Sequence, residues 1–241
     1  MRYFIEISYQ GKKYHGWQSQ PDATSIQEEI NKAISVVLQE DIIVLGAGRT
    51  DTGVHAEQMF AHFDTENELV TNDVFKFNSV LPEDIVIHAI EKVKEDSHAR
   101  FDAVSRSYQY KIWLGRNPFL LDGTWQIHYQ KLDVHAMNEA ARLLLEYENF
   151  QAFSKVKTEV KTFNCDVTEA IWVQNGNELT FHISANRFLR NMVRAIVGTL
   201  VAVGRHKIST EEFRDIIVSR DRSKAGLSVP AKGLYLTEIT Y

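Results

Sequence analysis

The sequence predicts an α+β fold built from two similar sheet-plus-helix halves, and three observations lead there. Alternating or β-rich runs recur along the chain and are separated by a few runs with helical spacing. The order strand, helix, strand, loop, strand, helix, strand over the first hundred residues restarts with similar content after Asp96. At 241 residues, with 44% hydrophobic and 24% charged, the chain is large enough for a sizeable core and ordinary for a globular one. No Pro/Ser-rich linker, low-complexity tract or sequence repeat interrupts it. The expected division is residues 1–100 for the first half and 101–241 for the second.

The elements follow in order. Residues 2–9 (RYFIEISY) alternate and are β-rich, which predicts a strand. Residues 11–22 read as a loop carrying Tyr14, His15, Gly16 and Trp17. Ser25-Ile26-Gln27-Glu28 is a capping box opening a helix over 25–39, with Ile26, Ile30, Ala33, Ile34, Val37 and Leu38 on one face. The apolar, β-branched run 42–45 predicts a short buried strand, followed by a Gly-rich loop and a strand over 57–64. A helix over 72–79 and a strand over 84–93 complete the first half.

In the second half, strands are expected over 108–115, 125–129, 162–173 and 178–185, the last two joined by the turn residues Asn175-Gly176-Asn177. Asp133 caps a helix containing Ala136, Met137, Ala140, Ala141 and Leu144. Helices over 188–203 and 210–219 and a closing strand over 233–241 end the chain.

Composition narrows the classes of function. The lone Cys165 excludes an internal disulfide and any thiolate-rich zinc or iron–sulfur site, and it points to a reducing cytoplasm. No apolar run approaches a membrane span, and Met1-Arg2-Tyr3-Phe4 does not open a signal peptide. The net charge of −5 argues against a general nucleic-acid binder. Its distribution is uneven. Residues 1–100 hold nine Lys/Arg against seventeen Asp/Glu, and residues 101–241 hold eighteen against fifteen. A weakly basic second half permits a polyanionic partner without demanding one.

The most informative segment is Gly46-Ala47-Gly48-Arg49-Thr50-Asp51-Thr52-Gly53-Val54-His55. Glycines here allow tight turns and close approach by a ligand around one arginine and one carboxylate. Neither the GxxxxGK[ST] nor the GxGxxG phosphate pattern is present, and Gly53 stands where an aspartyl phosphatase would want a second Asp. Taken alone, an Asp-Thr-Gly is more readily a turn whose Asp51 caps backbone amides.

The run from Gly48 to His55 resembles the catalytic signature of the tRNA pseudouridine synthase A family, and other matches lie along the whole chain in the family's order. Tyr14-His15-Gly16-Trp17-Gln18 is similar to its early loop, and His98-Ala99-Arg100-Phe101 with Arg106-Ser107-Tyr108-Gln109-Tyr110 to its central segment. Residues 191–198 (NMVRAIVG) and Gly233-Leu234-Tyr235-Leu236 resemble its two C-terminal motifs. The resemblance implies a pseudouridine synthase fold with the active cleft between the halves. It implies a homodimer acting on uridines 38, 39 and 40 of the tRNA anticodon stem-loop. One departure is Ser154, where some members carry arginine.

Turning uridine into pseudouridine breaks the C1′–N1 bond, rotates the base and rejoins it through C5. No net redox change or hydrolysis occurs, so neither cofactor nor metal is expected. A carboxylate nucleophile is needed, and the resemblance maps it onto Asp51. That carboxylate must stay ionised, which a neighbouring cation favours. Arg187, Arg190 and Arg194 fall at helical spacing i, i+3 and i+7, and the resemblance assigns Arg194 to the aspartate. Arg187 and Arg190 either bind substrate or reach surface acids. By resemblance Tyr108 packs on the target base and handles the C5 proton, with Tyr110 left to the core. By resemblance Arg49 occupies the space beside the flipped nucleotide, the other reading being an ion pair with Asp51 or a nearby acid. Lys155, Lys157 and Lys161, Arg205-His206-Lys207 and Arg220-Asp221-Arg222 are basic segments suited to phosphate contacts. A non-catalytic RNA-binding protein of the same fold is the alternative, and a metal-dependent hydrolase using Asp51 a more distant one.

Overall fold

The computed structural model describes residues 1–128, 131–155 and 160–241. The chain is α+β throughout and divides into two compact units, Met1–Val104 with Tyr235–Tyr241, and Ser105–Leu234.

In the first unit, β1 (Arg2–Tyr9) runs antiparallel to both β3 (His55–Asp64) and β4 (Ile85–Val93). The far side of β3 takes β2 (Leu45–Gly46) antiparallel and, at His55 and Ala56, the closing strand β9 (Leu234–Thr240) in parallel. Tyr3, Ile5, Ile7 and Tyr9 are buried while their neighbours are less so, as the alternation predicts. α1 (Ile26–Leu38) contributes Ile26, Ile30, Ala33 and Ile34 to the core. Its N-cap is Ser25, whose hydroxyl accepts the Glu28 amide at 3.3 Å. α2 (Asn72–Val80) packs beside α1 and buries Phe77.

The expected strand over 42–45 is not formed; only Leu45 and Gly46 pair with a neighbour. Three side chains one helical turn apart on α1 hold this segment instead. Ser35 Oγ accepts the Ile42 amide, Asn31 Oδ1 accepts the Val44 amide, and Gln27 Nε2 donates to the Val44 carbonyl. The Ile42 and Val44 amides and the Val44 carbonyl are thereby satisfied without a sheet partner. Ile42 and Val44 are buried, whereas Ile43 is 69% exposed.

In the second unit, β5 (Ser105–Leu114), β8 (Glu178–Ala185) and β7 (Val167–Asn175) form an antiparallel sheet, with β6 (Trp125–Ile127) parallel on the other side of β5. Tyr129, the expected end of the β6 run, lies outside the described residues. β7 begins later than residue 162, because Phe163 and Cys165 bond to Phe150 and Glu148 and are not free to pair with β8. α3 (Val134–Arg142), capped by Asp133 on the Ala136 amide, packs against α4 (Met192–Gly204) and α5 (Thr210–Ser219). Along α4, ten of thirteen residues are buried, so this helix is the centre of the unit.

α4 starts four residues later than its apolar periodicity predicts. Asn191 stands at φ +66°, a left-handed conformation that interrupts a right-handed helix, and Met192 then bonds back to Leu189. Arg187 and Arg190 are therefore not on the helix, and the single stripe of three arginines expected there does not exist.

Candidate active site

The first unit seats Asp51 on a loop that is tied down on both sides. Asp51 is half-buried, Arg49 is exposed and Thr50 is buried. The Asp51 carbonyl accepts the Val54 amide at 3.1 Å, closing a four-residue turn. Gly53 takes φ +78° at the third position of that turn, where an L side chain is disfavoured.

The aromatic loop Tyr14–Trp17 forms the other wall. Trp17 donates its amide to the Thr50 carbonyl at 3.2 Å, and Gly53 donates to the Tyr14 carbonyl at 3.3 Å. Gly16, at φ +91°, passes so close that a Cβ would overlap the Thr50 carbonyl oxygen. Tyr9 Oη and Thr50 Oγ1 share a buried hydrogen bond of 2.8 Å. Asp51 thus follows a residue fixed through both its main chain and its side chain.

The aromatic loop is itself anchored. Tyr14 donates its hydroxyl to Asp84, and Lys13 pairs with the same carboxylate at 2.9 Å. Burial opposes the Asp84 charge, but these two partners outweigh it and hold its pKa below the usual carboxylate value. Burial first, and the Asp84 bond second, push the Tyr14 phenol upward. His55 accepts the Gly11 amide on Nδ1 at 3.2 Å and stacks on Tyr235 at 4.7 Å, a bracing arrangement. His15 is exposed.

The second unit carries Tyr108 and Arg194. Tyr108, on β5, is half-buried with its ring edge-on to Phe188 at 5.1 Å. Tyr110, two residues on, is fully buried and donates its hydroxyl to the Pro230 carbonyl at 2.7 Å. Burial raises the Tyr110 pKa, and the positive charge of Arg194 pulls it back in part. Arg194 sits in the first turn of α4, half-buried, with Nε donating to the Val229 carbonyl at 2.7 Å.

Of the basic residues expected near the substrate, Arg205 and Arg222 have side chains engaged within the fold. Arg187 is half-buried, and its field reaches Cys165, whose thiol burial pushes up to about 11. Arg190 is exposed, and its carbonyl accepts the Lys155 amide. Arg205 lies over the Trp125 ring at 5.9 Å. Arg222 turns inward onto the Ala225 and Gly226 carbonyls and the Ser228 hydroxyl. Lys157 lies outside the described residues. Ser154 is buried.

Sequence reasoning missed Tyr9, Asp84, Phe188 and Ser228, and it read Arg222 as a phosphate contact rather than an inward-facing residue. For Tyr9 the signal was available, since a tyrosine on the buried face of a strand needs a partner for its hydroxyl. The others depend on tertiary proximity. Among the described residues, no cluster of three His, Cys, Asp or Glu could hold a metal ion, and no helix is long and apolar enough to cross a membrane.

Comparison with known proteins places this geometry in context. A family model described as tRNA pseudouridine synthase matches residues 140–241. A protein from Porphyromonas gingivalis named tRNA pseudouridine synthase A is 51% identical over 247 residues, covering 100% of this chain and 97% of that one. Its counterpart of the same name from Bacteroides thetaiotaomicron is 50% identical over 244 residues, covering 100% and 90%. A more distant relative, tRNA pseudouridine synthase A 2 of Clostridium perfringens, is 41% identical over 240 residues, covering 98% of each chain.

Proposed function

Because the chain belongs to the tRNA pseudouridine synthase A family, we propose that it isomerises uridine to pseudouridine in tRNA, with Asp51 as the nucleophile. The observation that carries the reaction is likeness along the whole chain, not in one segment. Support for Asp51 comes from its seating, since a carboxylate next to a residue held through main chain and side chain is aimed before substrate arrives.

The remaining roles follow from what the chemistry needs. Arg194 supplies the positive charge that keeps the nucleophile ionised when a bound substrate excludes water. Tyr108 offers a ring for the target base and a hydroxyl for the C5 proton. The base must leave its stack to be reached, and Arg49, exposed and two residues from Asp51, occupies the space beside the flipped nucleotide. Arg187 and Arg190, with Lys155 and Lys161, bind the phosphate backbone. The substrate uridines are those at positions 38, 39 and 40 of the anticodon stem-loop. The working form is a homodimer in the cytoplasm.

Conversion to pseudouridine replaces the C5–H bond with C5–C1′ and releases that hydrogen to solvent. Unmodified tRNA transcripts carrying 5-tritiated uridine therefore report the reaction directly. Wild type is expected to release tritium and Asp51→Asn to release none while still binding tRNA. Tritium release by Asp51→Asn at the wild-type rate would remove Asp51 from the chemistry. Binding without release by both proteins, across several RNA substrates, would leave an RNA-binding protein of the same fold.

A further inference from the structure

We infer that Arg222 is a positioning residue for Arg194, acting through a strap, residues 225–229, that both side chains grip. The inference rests on the role proposed above for Arg194. Its basis is a chain of contacts within the second unit.

Arg194 and Gly198 lie one turn apart on α4, Asn191 stands just before the helix as its N-cap, and all three meet the strap. At its end, Arg194 Nε donates to the Val229 carbonyl at 2.7 Å while the Val229 amide donates to the Arg194 carbonyl at 3.2 Å. In its middle, a Cβ at Gly198 would overlap the Leu227 carbonyl, and Gly226 lies against the backbone of Gly198 and Thr199. Thr199 Oγ1 accepts the Gly226 amide at 2.9 Å and donates to the Ala195 carbonyl at 2.8 Å. The strap therefore sits against α4 in one register.

Arg222 closes this arrangement from the other side. Its Nη1 donates to the Gly226 carbonyl at 3.1 Å and, more distantly, to Ala225 at 3.4 Å. Its Nη2 donates to Ser228 Oγ at 3.0 Å, and Asn191 Nδ2 donates to the same oxygen at 2.6 Å. One planar guanidinium thus joins three strap residues ahead of Val229, a span a single ammonium cannot match. A half-buried arginine spent on the strap is not a phosphate hook, as its place in a basic run of sequence suggested. If the strap shifts, the Val229 carbonyl shifts with it, and so does the acceptor that aims the Arg194 side chain.

The test is a double-mutant cycle on the intact enzyme, with unmodified tRNA transcript as the probe. Single-turnover rates at saturating tRNA, tRNA dissociation constants and melting temperatures are measured for Arg222→Ala, Ser228→Ala, Arg194→Ala and the Arg222→Ala/Arg194→Ala double variant. Arg222→Ala is expected to slow the single-turnover rate roughly tenfold to a hundredfold, the scale of a misplaced reacting group, with tRNA affinity nearly unchanged. Lys224→Ala, which removes the same charge two residues away, should keep the wild-type rate. In the Arg194→Ala background, Arg222→Ala should cost little more, because its route to the chemistry is already gone. Ser228→Ala alters no charge, so a rate loss there with tRNA affinity unchanged excludes a lost phosphate contact and carries the test should Arg222→Ala fail to fold.

Additive losses in the double variant would overturn the inference. So would a wild-type rate with weakened tRNA binding in Arg222→Ala. A full rate in Arg194→Ala would overturn the parent role and this inference together. A slow Arg194→Ala beside a fast Arg222→Ala would overturn this one alone.

Discussion

Gly16 lies directly against the carbonyl of Thr50, and a Cβ at residue 16 would overlap that oxygen. The contact joins the aromatic loop to the residue preceding Asp51, and Gly16 holds φ +91° to make it. Gly16→Ala introduces two penalties at once, a left-handed backbone and a steric clash. The expected cost is about 1–3 kcal/mol of stability. Because the atom displaced is the Thr50 carbonyl, the loss of single-turnover rate should exceed the loss of tRNA affinity. Urea unfolding alongside single-turnover kinetics checks both, and a variant of normal rate would detach this contact from the placement of Asp51.

A second tie to Thr50 is the buried hydrogen bond between its hydroxyl and that of Tyr9, at 2.8 Å. Tyr9→Phe keeps the ring and leaves the Thr50 hydroxyl without this partner, at a cost of about 1–3 kcal/mol. Thr50→Val should cost a similar amount. The double variant Tyr9→Phe/Thr50→Val removes both polar groups and should lose less than the two singles combined. Equal additive losses in melting experiments would mean the two hydroxyls do not support each other.

Much of this was legible in the sequence where local rules and tertiary needs agree. α1 could be read from Ser25 and its apolar face, and the Asp51 loop from its glycines and its likeness to a known signature. The run at 42–45 misled because β-branched residues only show that a segment is extended; whether it finds a strand depends on its neighbours. Gln27, Asn31 and Ser35 answered for it from the polar side of a helix. The start of α4 misled for the opposite reason. Its apolar period continues back through Leu189, but Asn191 adopts a left-handed conformation that periodicity does not encode. That one residue takes Arg187 and Arg190 off the helix that carries Arg194. The inward turn of Arg222 was invisible for a simpler cause, since its acceptors are mostly backbone carbonyls.

His62 makes stability depend on pH in a defined window. Its Nδ1 accepts the Ala99 amide at 3.2 Å, so the ring proton is on Nε2, which is buried and unpartnered among the described residues. Burial, followed by the nearby His98 and Arg2, lowers the His62 pKa to about 4. Protonation would also set an N–H against the Ala99 N–H. Since the unfolded chain takes up a proton near the usual histidine value and the folded protein does not, stability should fall as pH drops from about 6.5 to about 4. The contribution of this one group is about 1–3 kcal/mol. His62→Gln, which can retain an acceptor for Ala99, should flatten that part of the profile. Urea midpoints at pH 7 and pH 4.5 for both proteins decide it, and an unchanged slope in the variant would assign the dependence to other groups.

Tyr108 offers a way to separate ring from hydroxyl. Its ring packs edge-on against Phe188 at 5.1 Å, and Tyr108→Phe preserves that packing while deleting one oxygen. If the hydroxyl handles the C5 proton, the variant should bind tRNA normally yet lose roughly a hundredfold to ten-thousandfold in single-turnover rate, the usual range for a general acid or base. Tyr108→Leu should lose affinity as well, because the flat surface for the target base goes with the ring. The two variants read together are decisive. A fast Tyr108→Phe beside a slow Tyr108→Leu would confine Tyr108 to stacking and send the proton to another group. Slow chemistry in Tyr108→Phe, with intact binding and an unchanged melting temperature, would place the proton transfer on this oxygen.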